Sequence, residues 1–98
     1  GMLDAWAEAN FTRYAMRDAP IVAMTTRQHD ITRSLFSAWY QELRAAQGVG
    51  PRGTVDWTRV SAAEVRAFSD RMFDAAGIPA NVVREYYRQW AIYERTIR

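Results

Sequence analysis

Apolar side chains recur every three or four residues in four stretches of the chain, which is the spacing of one face of an α-helix. The first stretch predicts a helix from about Ala5 to Arg17, with Asp4 available to cap its start. Pro20 ends this pattern, because proline has no amide hydrogen and keeps the preceding residue out of helical geometry. The apolar positions 21–24 have no second strand to pair with, so they are predicted to form an extended, buried connector.

The second pattern is the strongest of the four. Thr25 and Gln28 have the spacing of a capping box, in which two side chains satisfy the first free amide groups of a helix. The helix that they open is predicted to run to about Gln47. A loop rich in glycine and proline follows at positions 48–53.

Two more helices are predicted after this loop. Asp56 can cap a single turn, and a second capping box, Ser61–Glu64, then opens a third helix that ends at a left-handed Gly77. A wide apolar and aromatic stripe predicts a fourth helix over about Ala80–Ile97. The pattern as a whole predicts an all-α fold, a small four-helix domain with a Gly/Pro-rich loop between helices two and three.

Composition fits a single helical domain over residues 1–98, in which Gly1 is interpreted as the remnant of an expression tag. The chain has no cysteine, which excludes disulfides, thiolate catalysis and cysteine-ligated zinc. No apolar run approaches the ~18 residues of a spanning helix, and the first residues lack the pattern of a secretory signal. We therefore expect a soluble protein without a membrane partner, cytoplasmic by default, with a secreted effector as the alternative.

The charge of the chain gives weak support for nucleic-acid binding. All basic residues are arginine, but the formal net charge is only +2. Arg84, Arg88, Arg95 and Arg98 fall along one side of the fourth helix, offset from its aromatic stripe, and are candidate contacts to phosphate or nucleic acid. Glu85 and Glu94 interrupt this charge, so the sequence favours an ordinary solvated face.

His29 is the only histidine, with Asp30 beside it and Arg33 one helical turn later. It is a candidate metal ligand, and Arg27 and Arg33 are candidate phosphate contacts. Metal sites draw three or four side chains together, and a catalytic base needs a nucleophile or an orienting acid within reach. The sequence shows neither arrangement, so it predicts no catalytic residue and no cofactor.

Aromatic residues make up 13% of the chain, which is a large share for four short helices. Some of them are expected to stay partly exposed as anchors for another protein or for a second copy of the chain. The candidate partner-binding residues are Trp39, Tyr40, Tyr86, Tyr87, Trp90 and Tyr93.

Three segments carry a resemblance: Val55-Asp56-Trp57 with Val60-Ser61, then Met72–Pro79, then Tyr86-Tyr87-Arg88. Together they resemble the C-terminal helical region of bacterial polymorphic toxin effectors of the Rhs and related classes, over roughly residues 20–93. In such toxins a helical tail of this kind follows an HNH-type nuclease core. The stretch from Met24 to Arg33 resembles the helix that carries a late metal-site histidine, which implies His29 as a ligand. An HNH-type core also needs an earlier histidine in a ββ hairpin, and this chain has neither.

The sequence favours a non-enzymatic helical domain that binds another protein or itself, and the resemblance implies that it belongs to a toxin or effector system. One alternative is a fragment of a metal-dependent HNH-type nuclease toxin, in which His29 binds the ion. A second alternative is a helical nucleic-acid-binding module, which the low net charge disfavours.

Overall fold

The computed structural model describes residues 3–98, which form four α-helices and two short 3₁₀ turns. The helices are α1 (Asp4–Asn10), α2 (Thr26–Gln47), α3 (Ala62–Ala75) and α4 (Ala80–Ile97), and the turns are Met16–Asp18 and Trp57–Arg59. No strand occurs in this part of the chain, which confirms the predicted all-α fold. None of these helices is long and apolar enough to span a membrane. The interpretation of Gly1 concerns a residue outside the described range.

The first helix is shorter than the predicted Ala5–Arg17. It ends at Asn10, and Phe11 adopts an extended backbone with φ −132° and ψ 111°. The Asn10 side-chain amide donates a hydrogen bond to the Trp57 carbonyl at 3.1 Å, so a contact with a distant turn stabilises this early end. The helical spacing of the later apolar residues was misleading, because tertiary packing overrides weak local preference.

The predicted cap of this helix is also wrong. Leu3 is the N-cap, and Asp4 lies inside the first turn. There the Asp4 carboxylate accepts a hydrogen bond from the Tyr14 hydroxyl, beyond the end of the helix. The carboxylate therefore stabilises a tertiary contact instead of the helix start.

Both predicted capping boxes are present. Thr25 and Gln28 exchange side-chain to backbone hydrogen bonds of 3.1 and 3.0 Å at the start of α2. Ser61 and Glu64 do the same at 3.1 and 3.2 Å at the start of α3. Gly77 has the left-handed backbone predicted for it, with φ of 69°. These local signals position α2 and α3 to within a residue or two of the prediction.

The core lies mainly between α2 and α3. Trp39 of α2 and Phe68 of α3 stack with ring centroids 4.2 Å apart and ring planes at 5°. Trp6 of α1 donates its indole N–H to the buried Val60 carbonyl at 2.8 Å, which joins the first helix to the segment before α3. The buried cluster comprises Trp6, Ala7, Trp39, Leu43, Val55, Val60, Val65, Phe68, Met72 and Phe73.

The helix α4 packs on this core through its aromatic side chains. Phe73 of α3 contacts the rings of Tyr86 and Tyr87 at 5.3 and 6.0 Å, both edge to face. Near the other end, the Tyr93 hydroxyl accepts a hydrogen bond from the Ala15 amide at 2.9 Å and donates one to the Ala15 carbonyl at 3.0 Å. One side of α4 is thus anchored along its length, and the opposite side faces solvent.

Candidate functional site

His29 lies in the first turn of α2 and is exposed. The backbone of this turn is held by the capping box and by the Gln28 amide, which donates to the Ala76 carbonyl at the end of α3 at 3.1 Å. The Thr32 hydroxyl donates to the His29 carbonyl at 2.9 Å. The fold therefore presents the imidazole to solvent from a well-supported backbone.

The residues around His29 do not fit a resident metal ion. Among residues 3–98, no group of three or more histidine, cysteine, aspartate or glutamate side chains gathers closely enough to hold a metal. His29 with the neighbouring Asp30 offers at most two ligands, whereas protein metal sites commonly use three or four. The described side chains thus do not supply the ligand set that the resemblance to HNH-type toxins implies.

The two arginines proposed beside His29 lie on different sides of α2. Arg33 follows His29 by four residues, which places both on one face of the helix. Arg27 precedes His29 by two residues and therefore faces nearly the opposite direction. Both arginines are exposed, and neither forms an ion pair within residues 3–98. Only Arg33 is thus placed to act together with His29.

The fourth helix carries an arginine row, which we define as Arg84, Arg88, Arg95 and Arg98. All four are exposed. The Arg88 guanidinium binds both carboxylate oxygens of Glu85, at 2.9 and 2.6 Å, and Arg98 lies 3.5 Å from Glu94. Arg84 and Arg95 have no ion pair or side-chain hydrogen bond in the described part of the chain. Two guanidinium groups of the row are therefore available to bind an anion.

The acidic residue beside this row whose pKa is shifted most is Glu85. Hydrogen bonds from Arg88 and Gln89 stabilise its charged form and lower the pKa of its carboxyl to about 2. The same contact with Glu85 raises the pKa of Arg88. The Glu85–Arg88 pair consequently keeps both charges throughout the physiological pH range.

The aromatic residues predicted as partner anchors are largely occupied by internal packing. Trp39 is only 7% exposed and stacks on Phe68, so it is not available to a partner in this fold. The other five candidates are half-buried and pack against the core cluster or hydrogen-bond to other segments. For example, the Tyr87 hydroxyl donates to Asp70 at 2.6 Å, and burial together with this hydrogen bond raises the pKa of Tyr87. The aromatic stripe is thus explained by the attachment of α4.

Sequence reasoning did not identify the large apolar side chains that are actually exposed. These are Met16, Ile21, Val82 and Ile92. The predicted burial of the connector is therefore wrong at Ile21, which is 81% exposed. Ile21 and Ile92 line an open groove of about 500 Å³ between the extended connector and α4. The only sequence signal was the position of Val82 and Ile92 outside the aromatic stripe, which does not reveal what the neighbouring connector leaves uncovered.

The family comparison concerns nearly the whole chain. Residues 1–95 match the family model Tox-SHH, described as an HNH/Endo VII superfamily toxin with a SHH signature. No solved structure matches the chain significantly. The chain contains a single histidine, His29.

This match confirms the resemblance to toxin effectors and corrects the functional expectation. The prediction of a non-enzymatic interaction domain is wrong, because the matched family lies in a nuclease superfamily, which favours the nuclease alternative. The misleading observation was the number of aromatic residues, which serve the fold. The chain belongs to the Tox-SHH family of HNH/Endo VII superfamily toxins.

Proposed function

We propose that this chain is a toxin domain that acts on nucleic acid by cleaving phosphodiester bonds. The observation that carries the proposal is the family match over residues 1–95. The exposed His29 with Arg33 one turn away, together with the uncommitted arginines of α4, supports a polyanionic substrate. A toxin with this activity has to reach the nucleic acid of a target cell, so the proposal includes action as a secreted effector.

His29 is the side chain of the described region best suited to move a proton in this reaction. Its neutral imidazole can accept a proton from a water molecule that attacks the phosphorus atom. The phosphorus–oxygen bond to the departing nucleoside oxygen breaks in the same displacement, and solvent supplies the proton that this oxygen takes up. Arg33 can pair with the non-bridging phosphate oxygens and offset the charge that develops on them. Because the described residues do not fit a resident metal ion, no step is assigned to one.

Cleavage assays on defined substrates test this function. Labelled duplex DNA, single-stranded DNA and RNA are incubated with the purified chain, with EDTA or with magnesium, manganese or zinc in excess. Glutamine at position 29 keeps hydrogen-bonding capacity but cannot act as a base at neutral pH. The His29→Gln variant is therefore expected not to cleave the substrates that the wild-type chain cleaves. Gln41→Ala, at an exposed position of the same helix, is the matched control and is expected to cleave normally.

Two results contradict the proposal in different ways. If the wild-type chain leaves every substrate intact under all conditions, these 98 residues are not a nuclease. If the wild-type chain and His29→Gln cleave equally, the reaction does not use His29. Circular dichroism of each variant, recorded beforehand, separates these results from a loss of folding.

A further inference from the structure

We propose that the arginine row of α4 binds the phosphate backbone of nucleic acid. The choice of nucleic acid as ligand rests on the proposed function, but the surface itself is defined by geometry and charge. The row is separate from His29, which lies on α2.

The four arginines form one continuous track. They are separated by four, seven and three residues, and at 3.6 residues per turn these intervals keep them within an arc of about 80°. The rise of about 1.5 Å per residue makes the track about 21 Å long from Arg84 to Arg98. A duplex carries one phosphate charge per ~1.7 Å of its axis with both strands counted, so a length of about 21 Å contains about twelve charges, part of which lie on the side that the track can reach.

The ion pairs of the row leave some of its arginines available to phosphate. Arg84 and Arg95 have no acidic partner among residues 3–98. Arg98 lies 3.5 Å from Glu94 in an exposed contact that is weak, whereas Arg88 is held by both carboxylate oxygens of Glu85. A phosphate can therefore bind Arg84 and Arg95 directly and compete with Glu94 for Arg98.

The arginine row lies on a helix that is attached to the body of the protein by its opposite side. Tyr86, Trp90 and Tyr93 lie on the opposite side of α4 and attach it to the body of the protein. Between Arg88 and Arg95, the exposed Ala91 leaves a low point on the helix surface. The guanidinium groups therefore lie on the solvent-exposed side of an anchored helix.

An anionic lipid surface fits this helix less well than nucleic acid. Membrane-surface helices combine basic residues with a continuous apolar face that enters the bilayer. The exposed apolar residues Val82 and Ile92 of α4 are separated by the polar Glu85 and Gln89. The anchored side of α4, which is its continuous apolar face, is already occupied by the core.

The test measures binding by fluorescence anisotropy with a labelled 20-base-pair DNA duplex, in EDTA, at several salt concentrations. Every chain carries His29→Gln, so that the proposed reaction, which uses no metal, cannot cleave the duplex during the measurement. Arg84→Ala/Arg95→Ala is expected to reduce the slope of log K against log salt by about 1.8, because each lost phosphate contact removes about 0.9. At 0.1 M salt the same relation gives a loss of affinity of up to about 60-fold. Arg52→Ala/Arg59→Ala removes the same charge from exposed positions outside α4 and is expected to change the slope little.

A gain-of-function variant protects the test against loss of folding. Ala91→Arg fills the gap in the row, and it is expected to steepen the slope by about 0.9 and to tighten binding. The proposal is overturned if the α4 double variant behaves like the Arg52/Arg59 control, or if Ala91→Arg does not tighten binding. It is also overturned if the wild-type chain binds anionic lipid vesicles but no nucleic acid.

Failure of this proposal is distinguishable from failure of the proposed function. Binding is measured with chains that carry His29→Gln, which the proposed function makes unable to cleave, so it does not depend on cleavage. Row-dependent binding by a chain that never cleaves supports the row and contradicts the nuclease function alone. Cleavage that continues unchanged in the double variant, with an unchanged salt slope, overturns the row alone.

Discussion

Trp39→Ala tests whether the aromatic residues of this chain build the core. Trp39 is 7% exposed and stacks face to face on Phe68 at 4.2 Å. Truncating a buried tryptophan to alanine commonly costs about 3–5 kcal/mol, of which ring stacking accounts for about 0.5–1.5 kcal/mol. Domains of this size are stable by only about 5–15 kcal/mol, so the substitution is expected to remove a large share of the free energy of unfolding.

The assay is urea unfolding followed by circular dichroism. A loss of about 3–5 kcal/mol corresponds to a fall in Tm of at least about 12 °C, at about 4–8 °C per kcal/mol. Trp39→Phe keeps one ring against Phe68 and is expected to lose less than Trp39→Ala. Gln41→Ala, an exposed position on the same helix, is expected to stay within about 0.5 kcal/mol of the wild type. A change below about 0.5 kcal/mol in Trp39→Ala refutes the reasoning, because that is the behaviour of a surface side chain.

Three further substitutions test separate contacts. Tyr93→Phe removes both hydrogen bonds to Ala15 and is expected to cost about 1–3 kcal/mol in thermal unfolding. Ser61→Ala removes the N-cap of α3 and is expected to cost about 1 kcal/mol in urea unfolding, whereas Ser61→Gly is expected to cost only a few tenths. Arg88→Met removes the partner of Glu85, whose pKa is lowered to about 2. The wild type is therefore expected to lose its advantage over this variant as pH falls from about 4.5 through about 2, in urea titrations at pH 6, 4 and 2.

For each of these three substitutions, a specific result would contradict the expected outcome. Equal stability of Tyr93→Phe and wild type places the attachment of α4 elsewhere. A cost for Ser61→Gly as large as that for Ser61→Ala contradicts the role of the cap, since glycine is tolerated there. A stability difference between wild type and Arg88→Met that does not shrink in acid contradicts the assignment of the lowered Glu85 pKa to Arg88. The direction follows from linkage, because an acid with a lowered folded pKa contributes stability only above that pKa.

The parts of the fold that could be predicted are those with local causes. The capping boxes at Thr25 and Ser61 need only neighbouring backbone amides, and Gly77 needs only its own backbone freedom. The predicted end of α1 was wrong for the opposite reason. It ends at Asn10, whose side chain donates a hydrogen bond to Trp57, 47 residues away, and no local spacing reveals such a contact.

The candidate site also has a part that the sequence predicts and a part that it does not. The arginine row could be predicted, because intervals of three, four and seven residues place side chains on one helical face. The surroundings of His29 could not, since a ligand set assembles from segments that are distant in the sequence. The exposure of Ile21 also depends on how the connector lies against α4, which periodicity does not describe.

The most direct test of the nuclease assignment is controlled expression of the chain inside cells, with growth and the integrity of DNA and RNA followed over time. The account predicts that the wild-type chain arrests growth and fragments nucleic acid, whereas His29→Gln, present at equal level, does neither. Normal growth with intact DNA and RNA, while the wild-type chain accumulates in folded form, would contradict it.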